Sequence, residues 1–260
     1  MMQTKAQLEF IGLRTIPLIN PGDNLDEIIF AACKKEQVDI QNKDIIVITQ
    51  KIVSKAENRF RYLHEVKPGF KAKYYAFLSK KDSRFVQLVL NESKSILRVR
   101  KGTIISEHKK GFICANAGID HSNVDGNTTE GSDRFLLLPS EPDESARVLR
   151  EKFEKKVMKH IGVLIIDSHG RAWRNGTIGM SIGISGLPGL IDMRGKEDLF
   201  GFKLRVTTIG IADEIAAGAS ILMGQARESI PVVIVRGFPY ELRDGSFAEL
   251  VRNKKNDLFR

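Results

Sequence analysis

The sequence predicts a mixed α/β fold of α+β character, in which helices pack on mixed sheets. Two observations support this class. Aliphatic runs of strand length recur along the chain, and the amphipathic segments between them do not follow the regular β–α–β alternation of a doubly wound sheet. The 260 residues are 42% hydrophobic and 28% charged, as in a typical globular chain. No repeat or linker marks a domain boundary, so we expect a single unit over 1–260, or two interleaved lobes.

The first part of the chain predicts a helix, a strand and a longer helical region. Residues 23–27 combine an Asx cap with acidic residues in a first helical turn, and the apolar face of this helix continues to Ala32. The run 44–53 begins with consecutive aliphatic residues and predicts a buried strand. Residues 71–93 have the pattern of a helix, with a break at 80–82.

The middle of the chain predicts two strands and a helix. Residues 96–99 and 111–114 are expected to be strands on either side of a charged turn. Pro142 and Asp143 begin a helix that continues to Val157, because proline and acidic residues are both favoured in a first helical turn.

The last part of the chain predicts a buried strand at 161–166 that ends at Asp167. A Gly-rich stretch follows, with eight glycines between positions 170 and 201. The remaining predicted elements are a strand at 204–209, a helix at 212–223 and a strand at 230–235.

Positive charge is concentrated in one segment of the chain. The formal net charge is +9, and residues 51–110 hold 16 Lys and Arg against 5 Asp and Glu, whereas the other residues hold 25 against 27. Three interpretations are open: a nucleic-acid surface, a site for a small polyanionic ligand, and solvated helix faces. The aromatic residues of this segment fit one buried helix side as well as they fit base stacking.

Several classes of protein are excluded by composition. The longest aliphatic runs are far shorter than the about 20 residues of a membrane span. Cys33 and Cys114, the two cysteines, are too few for a disulfide scaffold or a cysteine-based zinc cluster. Lys5 and Glu9 do not fit a signal peptide, so we expect a soluble, cytoplasmic protein.

Familiar nucleotide-binding and catalytic motifs are absent from the sequence. The only Gly-Lys pair, at 195–196, is followed by Glu197, so there is no Walker A motif, and no G-x-G-x-x-G opens a helix after a strand. The glycines of 176–189 resemble a phosphate-binding loop only loosely. There is no G-x-S-x-G, and the five histidines lack metal-ligand spacing. His121 and His169 neighbour acidic residues, where a surface or supporting role is favoured over that of a catalytic base.

The first candidate segment, 116–124, packs amides, small residues and a carboxylate into a turn after a short strand. Asp120 suits a hard cation, and Asn123 suits a phosphate or a base. An Asx-rich turn whose side chains satisfy their own backbone also explains the composition, and for this segment alone it is the favoured interpretation.

The second candidate segment begins at Asp167, directly after an aliphatic strand. Sheets commonly place metal or phosphate ligands at such a strand end, and Ser168 adds a hydroxyl oxygen. Arg171 and Arg174 have the planar guanidinium groups that clamp phosphate oxygens. A polar strand exit with a turn at Gly170 explains the same residues, and the sequence of this segment does not separate the two.

Six segments, in order along the chain, together resemble those of one known family. They are 53–59, 116–124, 167–174, 182–187, 212–217 with 222–224, and 235–237. The family is that of the coenzyme F420:L-glutamate ligases, which act on a deazaflavin coenzyme, and the resemblance runs from about Leu13 to Arg260. Each motif alone is weak evidence for the family, whereas six motifs in the same order along the chain are specific for it.

The resemblance implies a GTP-dependent amide ligase that works with Mg²⁺ or Mn²⁺, with a monovalent cation as a further expected ion. The terminal carboxylate of the coenzyme F420 precursor would take the γ-phosphoryl group of GTP, and the amine of L-glutamate would then displace phosphate from the acyl phosphate. The resemblance also implies a family-specific mixed fold that is neither Rossmann nor P-loop, and an intertwined homodimer. It implies one catalytic unit over 1–260, without the nitroreductase-like domain fused to some bacterial relatives.

The resemblance also assigns the site residues. Asp120, Asp167 and Ser168 are the expected metal ligands, and Gln225 stands where some relatives place an acidic ligand. The expected nucleotide contacts are Ile16, Pro17, Leu18, Ile19, Gln50, Lys51, Lys55, Asn123, Met223, Gly224, Gln225, Ala226, Arg227, Glu228, Ser229 and Ile230. We add Arg171 and Arg174 to Asp120 and Asp167 as expected catalytic residues, because they can stabilise phosphate charge.

Two alternatives stand beside this ligase. One is a related nucleotide-dependent ligase that glutamylates another phosphorylated acid, and the other is a basic nucleic-acid-binding protein that uses residues 51–110. With the resemblance included, the basic segment is interpreted partly as solvated helix and partly as a funnel for small polyanions that begins at Lys51 and Lys55. Nucleic acid is then the least favoured partner, and we expect neither a nucleic-acid nor a membrane partner.

Overall fold

The computed structural model describes residues 6–124 and 133–258, and these form a mixed α/β fold as predicted. Phe259 and Arg260, at the end of the family resemblance, lie outside the described residues. The strands are β1 (Glu9–Leu13), β2 (Ile45–Thr49), β3 (Phe60–Tyr62), β4 (Ser93–Arg100), β5 (Thr103–His108), β6 (Ile113–Ala115), β7 (Arg134–Leu136), β8 (Gly162–Arg171), β9 (Arg174–Ser185), β10 (Ile191–Asp192), β11 (Thr208–Ile209) and β12 (Val232–Arg236).

The α-helices of the described ranges pack around these strands. They are α1 (Leu25–Lys35), α2 (Gln50–Ala56), α3 (Phe70–Ser79), α4 (Ser83–Glu92), α5 (Pro142–Val157) and α6 (Ile211–Met223). None of the helices in residues 6–124 and 133–258 has the length and apolar character needed to span a membrane.

The central sheet has the strand order β1-β12-β2-β8-β9. Strands β2 and β8 pair in parallel, whereas the other neighbours in this sheet pair antiparallel. This arrangement differs from a doubly wound sheet, in which parallel strands alternate with helices. The remaining sheets are small, with the orders β4-β5-β6, β3-β7 and β10-β11.

Alternate residues of the central strands build two hydrophobic cores, one on each face of the sheet. In β2, Ile46 and Ile48 belong to the core that contains α1 and α5, while Ile45 and Val47 belong to the core that contains α6. The aliphatic runs are continuous because both faces of these strands are buried. A third core joins α3, α4 and the β4-β5-β6 sheet around Val86.

Glycines in β9 allow helices to approach the central sheet closely. A Cβ atom on Gly179 would lie 2.4 Å from the carbonyl oxygen of Ala216 in α6. A Cβ atom on Gly183 would lie 2.5 Å from the carbonyl oxygen of Pro142 in α5. Residues 176–185 of the Gly-rich stretch therefore lie in strand β9, where Gly179 and Gly183 serve helix packing, and the loose resemblance to a phosphate-binding loop is wrong for this part.

Several predicted elements are confirmed, with boundaries that differ by a few residues. The helix predicted at 71–93 breaks as expected, because Lys80 adopts a left-handed conformation (φ 55°) and Asp82 caps α4 through the backbone N–H of Arg84. The helices predicted from Pro142 and at 212–223 correspond to α5 and α6, and the strand predicted at 230–235 corresponds to β12.

Other predicted elements are wrong. The strand predicted over 44–53 ends at Thr49, and α2 begins at Gln50. The charged turn expected between 96–99 and 111–114 contains β5, which pairs with both neighbouring strands. Only Thr208–Ile209 of the strand predicted at 204–209 is extended in a sheet.

The start of α1 also differs from the predicted Asx cap. The side chain of Asn24 at the N-cap makes no capping hydrogen bond. The carboxylate of Asp23 accepts a hydrogen bond from the backbone N–H of Asn20 instead, at 2.7 Å. The acidic side chains of the first turn, Asp26 and Glu27, are present as expected.

Candidate active site

A cavity of about 670 Å³ lies at the end of the central sheet where β2 passes into α2. The cavity brings together segments that are far apart in the sequence. They are the loop 16–19, residues of 49–55, residues of 115–123, the β8 residues 167–170 with Thr177 of β9, and residues of 223–231. Both candidate segments of the sequence therefore meet the expected nucleotide-contacting segments in one place.

Helix α2 supplies two lysines to this cavity. Lys51 and Lys55 are four residues apart, so they lie on the same face of the helix. The ammonium of Lys51 lies 2.9 Å from Oδ2 of Asp120 and donates to the hydroxyl of Ser122 at 2.9 Å. Lys55 is 6% exposed and is also among the lining residues. The helix thus presents positive charge to any anion in the cavity.

The position of Asp120 is fixed by its backbone and by a strained turn. Its N–H and C=O exchange hydrogen bonds with Leu136 of β7, each at 2.9 Å. Asn116, Ala117 and Gly118, which lie two to four residues before it, have positive φ values of 52°, 54° and 67°. Non-glycine residues adopt this region at an energetic cost and mainly at constrained sites. The turn therefore holds its carboxylate in a defined place.

The 116–124 segment proves to be an Asx turn and a cavity wall at once. Oδ1 of Asp120 accepts hydrogen bonds from the backbone N–H and the hydroxyl of Ser122, at 2.8 and 2.9 Å. Asn123 has a φ of 55° and its side-chain amide donates to the carbonyl oxygen of Ala226 at 3.4 Å. The Asx turn is therefore confirmed, and its local hydrogen bonds orient side chains that line the cavity, while binding of a cation or a phosphate by this segment stays a prediction.

Asp167 lies inside β8, so the prediction that the strand ends there is wrong. The strand continues to Arg171 because β9 pairs with it from Val163 to Arg171. The parallel pairing with β2, however, ends at Ile166 opposite Thr49. Asp167 is thus the first residue beyond the carboxyl end of the parallel pair, which is where sheets of this kind place ligands. Burial of the Cys114 thiol, and to a smaller extent the nearby carboxylate of Asp167, raise the pKa of that thiol.

The segment after α6 forms the opposite wall of the cavity. The side-chain amide of Gln225 donates to the hydroxyl of Ser168 at 2.8 Å, which joins this wall to β8. The carboxylate of Glu228 accepts from the backbone N–H of Ala226 at 2.8 Å and braces the loop from within. Backbone N–H groups that donate to the Glu228 carboxylate keep its pKa below the usual value. Their effect is larger than the opposing effect of burial.

Four predicted site residues are not among those that line the cavity. Gln50 is 1% exposed, and its amide oxygen accepts from the hydroxyl of Ser54 at 2.9 Å. Glu228 faces its own loop. Arg171 and Arg174 stand at the tip of the β8–β9 hairpin beside the exposed Trp173, and Arg171 donates to the carbonyl oxygen of Gly176. The other predicted site residues are lining residues.

Ser122 is a cavity residue that the sequence prediction did not assign. An available signal was the D-x-S spacing, which is typical of an Asx turn whose serine reaches back to the carboxylate. His169 also lines the cavity, and its Nε2 atom lies 3.0 Å from Oδ2 of Asp167. The signal for His169 was its spacing of two residues from Asp167, which places both side chains on one face of a strand.

The donor atoms in the cavity suit a hard divalent cation. Asp120 and Asp167 offer carboxylates, Ser168 a hydroxyl, and Gln225 an amide, and oxygen donors of this kind are preferred by Mg²⁺ and Mn²⁺. In residues 6–124 and 133–258 there is no cluster of three or more His, Cys, Asp and Glu residues placed to hold a metal. Mg²⁺ is commonly bound by one or two carboxylates together with substrate phosphates, so two are sufficient for this type of site.

The basic segment 51–110 divides between the cavity and the surface. Lys51 and Lys55 line the cavity. Many of the other basic side chains are exposed on α3 and its C-cap, on β4 and in the turn after β4, among them Lys71, Lys73, Lys80, Lys94, Arg98, Arg100 and Lys101. The prediction that part of this charge is solvated is confirmed, whereas attraction of small polyanions by the cavity lysines stays a prediction.

The chain is similar to a family of known proteins over most of its length. A family model described as F420-0:Gamma-glutamyl ligase matches residues 12–237. The coenzyme F420:L-glutamate ligase of Methanothermobacter thermautotrophicus is 40% identical over 255 residues, which cover 97% of this chain and 99% of that protein. The coenzyme F420:L-glutamate ligase of Methanocaldococcus jannaschii is 41% identical over 262 residues, with both chains fully covered. That of Archaeoglobus fulgidus is 40% identical over 254 residues, with 98% and 97% covered.

Proposed function

The chain belongs to the F420-0:gamma-glutamyl ligase family and is an amide-forming ligase, and we propose that it joins L-glutamate to a coenzyme F420 precursor at the expense of GTP. The observation that carries the proposal is the meeting of two carboxylates, a hydroxyl and two lysines in one cavity. This combination serves phosphoryl transfer, which depends mainly on positioning and on neutralisation of negative charge.

The proposed reaction has two steps. A carboxylate oxygen of the precursor attacks the γ-phosphorus of GTP, so that GDP leaves and an acyl phosphate forms. The amine nitrogen of L-glutamate then attacks the acyl carbon, phosphate leaves with the bonding electron pair, and the nitrogen loses a proton. The product contains a new amide bond, and one GTP is converted to GDP and phosphate.

The residues of the cavity have distinct proposed roles in these steps. Lys51 and Lys55 bind phosphate oxygens, because both reach the cavity from one face of α2. The loop 16–19 and the segment 223–230 enclose the nucleoside between apolar and backbone groups, and Asn123 stands beside them. Glu228 supports this wall through Ala226, whereas Gln50 supports α2 through Ser54.

Asp120, Asp167, Ser168 and Gln225 are the proposed holders of Mg²⁺ or Mn²⁺. A bound divalent cation would supply neutralisation of the β- and γ-phosphate charge of GTP. Asp120 accepts hydrogen bonds from Ser122, and Oδ2 of Asp167 lies 3.0 Å from Nε2 of His169. We propose that Arg171 and Arg174 stabilise phosphate charge. Because both lie at the tip of the β8–β9 hairpin, this role requires the tip to approach a substrate bound in the same subunit or in a second one.

The direct test is incubation of the purified protein with GTP, Mn²⁺, L-glutamate and the coenzyme precursor. We expect a product one glutamyl residue heavier by mass spectrometry, together with stoichiometric GDP. Asp167→Asn should abolish turnover while Asp192→Asn, an exposed residue paired with Arg194 outside the cavity lining, should retain it. Absence of glutamylated product with every nucleotide and metal tried would refute the proposed substrate.

We further propose that the protein is a cytoplasmic homodimer. Support for the dimer comes from apolar side chains that remain exposed in the single chain, such as Leu199, Phe200 and Val206 between β10 and β11. Exposed apolar surface of this kind is typical of protein interfaces. Light scattering would measure the mass in solution, and a monomer at micromolar concentration would refute the dimer.

A further inference from the structure

We propose that His169 is a positioning residue that orients the carboxylate of Asp167 and thereby strengthens the binding of a divalent cation. The inference rests on the proposed function, because it takes Asp167 as a metal ligand. It assigns no proton transfer to His169. Its role is to hold a ligand in one orientation through a hydrogen bond from the imidazole N–H.

The geometry of β8 brings the two side chains together. Asp167 and His169 are two residues apart in an extended strand, so their side chains leave the backbone on the same face. The Nε2 atom of His169 lies 3.0 Å from Oδ2 of Asp167, which is a normal hydrogen-bond distance. The side chains are only 5% and 13% exposed, so water competes weakly for this contact.

The imidazole ring of His169 is itself held in place by aromatic packing. The ring of Phe112 lies 5.4 Å from it, centroid to centroid, at an interplanar angle of 32°. Phe112 in turn stacks on His108 at 4.6 Å and meets the edge of Phe247 at 5.4 Å. A ring fixed in this way loses little conformational entropy when it supports the carboxylate.

The other proposed carboxylate ligand has an equivalent support. Oδ1 of Asp120 accepts hydrogen bonds from the backbone N–H and hydroxyl of Ser122. Each carboxylate therefore has one oxygen held by a neighbour two residues later in the chain. Residues that hydrogen-bond to metal ligands typically contribute about 10- to 100-fold in metal affinity.

Two substitutions separate the hydrogen bond from the packing. His169→Phe keeps an aromatic ring against Phe112 but removes the N–H donor. His169→Gln loses the ring but keeps an amide N–H at the end of a side chain of similar reach. His160→Phe is the matched control, because His160 has a 90% exposed side chain and does not line the cavity.

The measurement is the dissociation constant of Mn²⁺ from the full-length protein, read from the electron paramagnetic resonance signal of free Mn²⁺, without and with GTP. We expect His169→Phe to weaken binding by about 10- to 100-fold and His169→Gln to stay within about fivefold of wild type. His160→Phe should be unchanged. Circular dichroism melting curves would establish that each variant is folded.

The outcomes distinguish this inference from the proposed function. Wild-type affinity in His169→Phe, or a greater loss in His169→Gln than in His169→Phe, would overturn the positioning role, since packing alone would then account for the residue. Such a result would leave glutamate ligation intact. If the wild-type protein binds no Mn²⁺ in either titration, the proposed metal site fails, and the inference fails with it.

Discussion

The close contact between β9 and α6 gives a sharp prediction for Gly179→Ala. The added Cβ would lie 2.4 Å from the carbonyl oxygen of Ala216 and 2.8 Å from Cβ of Ser220. Real Cβ atoms are not found closer than 3.0 Å to other heavy atoms, so strand and helix must separate by at least the missing 0.6 Å. The backbone oxygen cannot rotate away as a side chain could.

The expected cost of this separation follows from the behaviour of overpacked cores. Such substitutions typically cost about 1–3 kcal/mol. In a chain of this size each kcal/mol lowers the melting temperature by about 2–4 °C, so we expect a fall of roughly 2–12 °C in Gly179→Ala. Gly179 pairs with Ser168 across the hairpin, so the shift should also reach the cavity and weaken Mn²⁺ binding.

The assay is thermal unfolding followed by circular dichroism, with Gly170→Ala as the matched control. Gly170 lies on the paired strand β8, where an added Cβ would meet nothing within 4 Å and the backbone requires no positive φ. Because alanine is favoured over glycine in strands by about 0.5–1 kcal/mol, the control should melt at or slightly above the wild-type temperature. If Gly179→Ala has the same melting temperature as Gly170→Ala, the reasoning from close backbone contact is refuted.

Three further predictions concern the cavity and buried titratable groups. Lys55→Met should weaken GTP binding by about 10- to 100-fold in calorimetry, because a charge-assisted hydrogen bond contributes about 1.5–3 kcal/mol. The control is Lys43→Met, which should bind GTP as wild type does, since Lys43 is exposed and paired with Glu241. Burial, and then the charges of Lys110 and Lys109, lower the pKa of His108 to about 4, so the unfolded chain takes up a proton near pH 6.5 that the folded chain takes up only near pH 4. Stability from this residue is therefore complete above pH 6.5 and is lost as the pH falls toward 4. Between pH 7 and pH 5, the free energy of unfolding measured in urea should fall by about 2 kcal/mol more in wild type than in His108→Phe. Equal losses in the two proteins would contradict the assignment. Burial raises the pKa of Cys33 to about 11 and also raises that of Cys114, so neither thiol should react with a disulfide reagent at pH 8 until the protein is denatured, and rapid labelling of the native protein would be the contrary result.

The central strands and long helices could be predicted because their local sequence and their tertiary environment agree. Ile45 to Ile48 form a continuous aliphatic run, and the strand is buried on both faces as such a run requires. Helix α5 begins at a proline followed by acidic residues and keeps its apolar face to the end. The order of six motifs was also sufficient to indicate the family, without any knowledge of which residues touch.

Strand β9 could not be predicted because its determinants are distant. Its glycines have low strand propensity, and they are explained only by the approach of Ala216 and Pro142 from two different helices. Distant pairing also explains why β8 extends past Asp167. A polar stretch that would end an isolated strand stays extended when a partner strand pairs with it. Strand β5 was overlooked for the related reason that its charged neighbours favour a turn locally.

By itself the sequence determined the fold class, the oxygen-rich chemistry of Asp120, Asp167 and Ser168, and the family. Those properties depend on residue types and on their order, which the chain carries locally. Only the tertiary structure decided which residues share the cavity. It placed Lys55 inside and Arg171 at an exposed tip, although both are basic and both lie in family motifs. The physical reason is that a site between distant segments is set by strand register and helix packing, which connect parts of the chain that no local pattern relates.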